Sequence, residues 1–169
     1  MKWISALNIL LITLLMVGCT SSPTKLTQHN PSEYQTFVKV GEQVPVTQFI
    51  DTQGEKIDLT QSHNAKLLIL FATWCSDSQR AMKALKSSDL NLDPNIDIIG
   101  IGREESNETL DKFADEYELN FPLIADNDRS IYAKFANAGI PRFILLDKEN
   151  QIVKTIIAED ENPLTQLQW

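Results

Sequence analysis

The chain has 169 residues, 43% of them apolar, which suits one globular domain with its own core and excludes a disordered chain. Fifteen basic against 23 acidic side chains give a net charge of −8 with no block of like charge, so nucleic acid is excluded as a natural partner and the acidity reads as solubility. Two cysteines, Cys19 and Cys75, exclude a disulfide framework or a thiolate-built metal site, and no motif calls for a cofactor.

Lys2 precedes the apolar run Ile9 to Val17, which is short for a bilayer span; a charged start before such a run predicts an export signal over residues 1–18. The run ends in Met16-Val17-Gly18-Cys19. These residues resemble the lipobox of bacterial lipoproteins, with Met16 where leucine is usual, and the resemblance implies that Cys19 is acylated and becomes the new N-terminus. Residues 19–36 are polar, contain proline and lack a period, as a tether would. Thr20 stands where aspartate favours retention in the inner membrane. The resemblance therefore implies a lipid-anchored protein of the cell envelope, on the outer membrane and facing the periplasm.

From Phe37 onward short apolar runs alternate with helical periodicity, which predicts an α/β domain over 37–169. Val46 to Ile50 and Lys56 to Leu59, on either side of Asp51-Thr52-Gln53-Gly54, predict a β-hairpin, and Lys66 to Ala72 reads as a strand buried on both faces. Ser76 to about Leu85 spaces Ala81, Met82 and Leu85 as one helix face; Ile96 to Ile101 is a second buried strand. Ser106-Asn107 opens a helix over Glu108 to Tyr117, so Asn107-Glu108-Thr109 is a helix start rather than a glycosylation site. Phe121 to Ala125 predicts a short strand, Ser130 to Phe135 a helix, and Arg142 to Asp147 with Ile152 to Ile157 a closing hairpin around Lys148-Glu149-Asn150. His29 and His63 lie in polar segments without a partner nearby in sequence, and neither is given a role.

Cys75 falls at the junction of the buried strand and the following helix, in Phe71-Ala72-Thr73-Trp74-Cys75-Ser76-Asp77-Ser78. Unpaired backbone N–H groups and the positive end of the helix dipole favour a thiolate there, and Trp74 shields one side. Ser78, three residues on and on the same helix face, is placed to hydrogen-bond the thiolate. Asp77 opposes it through its charge, and Arg142 offsets Asp77 if its side chain turns toward the cysteine rather than to solvent.

Trp74-Cys75 after a buried strand, with Ser78 where a second cysteine would stand, resembles the Trp-Cys-x-x-Cys motif of thioredoxin-like thiol-disulfide oxidoreductases of the TlpA/ResA type. Gly139-Ile140-Pro141-Arg142 is similar to that family's Gly-x-Pro segment. Val40-Gly41-Glu42-Gln43-Val44-Pro45, Ile98 to Gly102 and Phe121-Pro122-Leu123-Ile124-Ala125-Asp126 also fall where the family has them. The resemblance spans Phe37 to about Ile157. It implies a thioredoxin-like fold, a central mixed sheet flanked by helices with the hairpin as an N-terminal extension, and a cis Pro141 abutting Cys75. Pro163 to Trp169 leaves room for a short closing helix.

A complete motif resolves a mixed disulfide with its second cysteine, which Ser78 cannot do. The expectation is a monothiol oxidoreductase: Cys75 forms mixed disulfides with periplasmic proteins or small thiols, and an external thiol resolves them. The competing readings are a redox-inert binding module, with a peptide held beside Pro141, and a dimer linked through Cys75. Peroxide chemistry is disfavoured because peroxiredoxins place Thr or Ser three residues before their reactive cysteine, where this chain has Ala72.

Overall fold

The computed structural model describes Tyr34 to Trp169. The expected export signal, Cys19, His29 and most of the expected tether lie outside the described residues.

A hairpin of β1 (Gln48–Ile50) and β2 (Lys56–Asp58) precedes the main sheet, paired antiparallel around a turn in which Gly54 has φ 85. The five strands of the sheet are β3 (Ala65–Phe71), β4 (Ile96–Arg103), β5 (Leu123–Asp126), β6 (Arg142–Leu146) and β7 (Ile152–Ile157). They lie in the order β5-β4-β3-β6-β7. β3 runs parallel to β4, and β4 to β5; β6 is antiparallel to both β3 and β7. The parallel crossovers are made by α1 (Ser76–Lys86) and α2 (Asn107–Tyr117). This is the expected mixed sheet with its hairpin extension.

The alternation along β3 shows why the sequence folds this way. Leu67, Ile69 and Phe71 pack on one face with Ala81, Met82 and Leu85 of α1 and Leu110 and Phe113 of α2. Leu68, Leu70 and Ala72 pack on the other with Phe49, Tyr132 and Phe135. Both faces are covered, so β3 reads as a continuous apolar run rather than an alternating one. Ser106 caps α2, its hydroxyl accepting from Thr109 N at 3.2 Å.

Two expected helices are absent. Residues 130–135 form a single 3₁₀ turn, Tyr132–Lys134. The carboxylate of Asp126 takes Ile131 N and Tyr132 N at its start, and Phe37 N takes Phe135 O at its end, so the turn is closed off on both sides. Six residues between such anchors cannot propagate an α-helix. Pro163 to Trp169 is likewise a pair of turns, Thr165 N to Asn162 O and Leu167 N to Leu164 O, and ends with Trp169 Nε1 on Leu146 O at 3.0 Å. Leu164 and Leu167 cover the α1 and α2 side of the core without helical geometry.

Candidate functional site

Cys75 is the N-cap of α1, with φ −86 and ψ 120 and its carbonyl accepting from Gln79 N at 3.0 Å. No side chain caps this helix start, so the sulfur occupies the position where a capping oxygen normally meets the free N–H groups. The residue is partly buried. Its Sγ lies 3.7 Å from the carbonyl of Ile140, to which the thiol donates, and the next peptide, Ile140–Pro141, is cis. The expected meeting of Cys75 with the Gly-x-Pro segment is thus present. Gly139 is required there: it has φ 88, and a Cβ would come within 3.3 Å of the Tyr34 ring.

The turn that presents Cys75 is braced from three sides. Ala72 N donates to Ser78 Oγ at 3.4 Å, Gln79 Nε2 to Thr73 O at 2.7 Å, and Thr73 N and Oγ1 both donate to Glu105 Oε1, at 2.8 and 2.7 Å. Ser78 is fully buried, and the hydrogen bond it makes is to this backbone rather than to Cys75. It supports the loop below the sulfur, which corrects the expectation of a direct bond to the thiolate. Glu105, only 6% exposed, was not anticipated. Its signal is an acidic residue two positions past the end of β4 and directly before the Ser106 cap, at the carboxyl end of an interior strand, where α/β sites form.

The charged neighbours also settle differently from the expectation. Asp77 pairs with Arg80 at 2.7 Å, and Arg80 donates in turn to Glu159 O and Asp160 O near the C-terminus. Arg142 takes neither expected course. It is 1% exposed, with Nε and NH2 on Ala138 O at 3.0 and 2.6 Å and NH1 on Thr36 Oγ1 at 2.8 Å. A guanidinium needs several acceptors when buried, and the Ala138 carbonyl and Thr36 hydroxyl supply them. Arg142 therefore clamps the segment before Pro141 to the N-terminal lead-in and leaves Asp77 to Arg80.

Trp74 is 65% exposed, so it forms the rim of the site rather than a buried shield. Beside it runs an open groove of about 310 Å³ lined by Thr73, Gln79, Thr109, Lys112, Phe113 and Tyr117. Burial, with Glu116 adding to it, pushes the Tyr117 hydroxyl above its ordinary value. No group of three or more His, Cys, Asp or Glu side chains suited to a metal ion occurs among the described residues.

Comparison with known proteins agrees with this geometry. Thioredoxin-like protein YneN of Bacillus subtilis is 28% identical over 155 residues, 89% of this chain and 86% of its own. Thiol-disulfide oxidoreductase ResA of Bacillus anthracis is 24% identical over 124 residues, 72% of each chain. Among solved structures, a candidate protein disulfide isomerase from Bacteroides thetaiotaomicron superposes with a TM-score of 0.69 at 30% identity, over 76% of this chain and 85% of that one. The AhpC/TSA family profile matches residues 40–155, from the lead-in to β7. That span is most of the chain, and the protein accordingly belongs to the AhpC/TSA family, as a thioredoxin-like member of the TlpA/ResA type.

Proposed function

We propose that this thioredoxin-like thiol-disulfide oxidoreductase works with a single thiol, Cys75, in the bacterial envelope. The observation that carries the reading is the cysteine at the α1 N-cap against the Ile140 carbonyl, with buried Ser78 in the position of a resolving cysteine. The Cys75 thiolate attacks one sulfur of a client disulfide; that S–S bond breaks, a client thiolate leaves, and a Cys75–client mixed disulfide remains. Two external thiols then supply the two electrons that free the client and restore Cys75. Trp74 and the cis Pro141 segment flank the reacting sulfurs, while Ser78 and Glu105 fix the turn between them. Met16-Val17-Gly18-Cys19 supports acylation at Cys19 and a periplasm-facing anchor on the outer membrane.

Cys75→Ser is expected to abolish reduction of a small mixed-disulfide substrate; an unchanged rate overturns the proposal. Acid quenching of membrane-derived protein followed by mass spectrometry is expected to find Cys75 joined to other thiols. The groove beside Trp74, which runs along α2 and is not lined by Pro141, favours a second reading, a redox-inert module that holds its peptide there rather than beside Pro141. Unmodified Cys75 in the quenched sample, together with stable peptide binding, selects it, and a mass of twice the chain without reductant identifies a Cys75-linked dimer.

A further inference from the structure

At the rim of the Cys75 site this acidic chain gathers positive charge against aromatic rings. β4 ends in Arg103, whose guanidinium carbon lies 5.8 Å from the centre of the Trp74 ring and 5.2 Å from that of Tyr132. Both rings belong to the site. Trp74 directly precedes the cysteine, and the Tyr132 hydroxyl donates to Gly139 O at 2.7 Å while Cys75 Sγ faces the carbonyl of the very next residue, Ile140. The two rings that carry Arg103 are thus linked to Cys75, Trp74 as its chain neighbour and Tyr132 through the 139–140 backbone. A second guanidinium, that of Arg129, lies 5.2 Å from the Tyr132 ring. It donates to Asn137 O, and its Nε is buried without a hydrogen-bond partner.

The donors of Arg103 are only partly used. Nε pairs with Glu104 at 2.9 Å, whereas NH1 and NH2 have no acceptor among the described residues. The side chain is 16% exposed, so its charge is felt in a largely dry surrounding while the outer edge of the fork stays open. The other nearby carboxylates are engaged elsewhere: Glu105 accepts from Thr73 N and Oγ1, and Asp126, opposite Arg103 in register on β5, accepts from Ile131 N and Tyr132 N. A planar fork fixed by two rings, with two parallel N–H groups free, matches a carboxylate in bidentate geometry.

We propose that the open edge of Arg103 is a carboxylate-binding subsite, and that it selects as the external partner of Cys75 a small thiol carrying a carboxylate. The inference rests on the single-thiol reading and names its resolving agent. With its carboxylate on Arg103, the small thiolate attacks Cys75 Sγ in the mixed disulfide. The Cys75–client S–S bond breaks, the client leaves as a thiolate that takes up a proton, and Cys75 becomes joined to the small thiol. A second small thiolate attacks the small-thiol sulfur, and the electron pair returns to Cys75 as a symmetrical small disulfide leaves.

The test loads the full chain as its 2-thiopyridyl mixed disulfide, a neutral leaving group, and times release of the thione by N-acetylcysteine and by its neutral amide. Wild type, Arg103→Gln and Arg103→Lys are compared, with Cys75→Ser subtracting release from Cys19. The ratio of the two rates, taken in wild type and divided by the ratio in a variant, cancels the intrinsic difference between the thiols. It is expected to be about tenfold for Arg103→Gln, about the worth of one charge-assisted hydrogen-bonded pair, smaller for Arg103→Lys, and to shrink in 1 M salt. Equal ratios in wild type and Arg103→Gln overturn the subsite, as does a wild-type ratio that salt leaves unchanged. No release by either thiol from wild type overturns the single-thiol reading itself, a result distinct from the other two.

Discussion

Ser78 occupies a position at which one atom separates two mechanisms. Its oxygen supports Ala72 N, so Ser78→Ala is expected to leave a buried N–H without a partner and to lower the unfolding free energy by about 1–2 kcal/mol in urea titration. Ser78→Cys is expected to pair with Cys75 on oxidation, so that a thiol count falls by two and turnover no longer needs an external thiol; two persistent free thiols would show that the position cannot resolve. Glu105 carries more, because it accepts two bonds from Thr73: Glu105→Ala is expected to cost about 2–3 kcal/mol and to slow mixed-disulfide formation at Cys75, read by the same titration and by alkylation rate. Cys75, Trp74 and Pro141 were legible in the sequence because they sit in a contiguous motif or a short turn. Glu105, and the clamping role of Arg142, were not, since Thr73 lies 32 positions from the one and Thr36 106 from the other and only the folded sheet brings them within reach.

The strands and the two long helices follow the hydrophobic period closely, since each needs only its own spacing and a covered face. The short 3₁₀ turn at Tyr132–Lys134 departs from the expected helix because Asp126 and Phe37, neither of them local, claim its ends. The same limit applies to Lys66 in β3. It breaks no pattern in the sequence, yet it is fully buried, with Nζ on Ser62 O and Lys148 O and with Asp97 opposite it in register on β4. Burial pushes its ammonium below the ordinary value of 10.5, against the pull of Asp97, Asp147 and Glu149. Between the lowered value and 10.5 the unfolded chain therefore holds more protons at this group than the folded one, and stability contributed by Lys66 rises with pH across that window. Denaturation series at several alkaline pH values are expected to show this rise in wild type and its loss in Lys66→Met.

Across the whole molecule, the chain from Gln35 to Phe37 is stitched onto the segment carrying Pro141, so Gln35 and Thr36, expected at the end of a flexible tether, belong to the folded domain instead. Thr36 bridges Ala136, Gln35 N donates to Asn137 Oδ1, Asn137 N to Gln35 O, and Arg142 reaches Thr36. Removal of the residues before Val38 is expected to raise amide hydrogen exchange in residues 137–140 about tenfold, the effect of losing roughly 1.4 kcal/mol of local protection, while β3 exchanges as before. Equal protection in both forms would show the lead-in to be a passenger.

The chain has three tryptophans, and the two within the described residues stand at separate posts: Trp74 beside the reactive sulfur and Trp169 anchored on Leu146 O. The protein thus carries its own optical gauge. Formation of a disulfide at Cys75 is expected to dim the exposed Trp74 while Trp169 holds a steady background, so a Trp169→Phe chain would report each mixed disulfide as a change in emission, in real time and without an added dye.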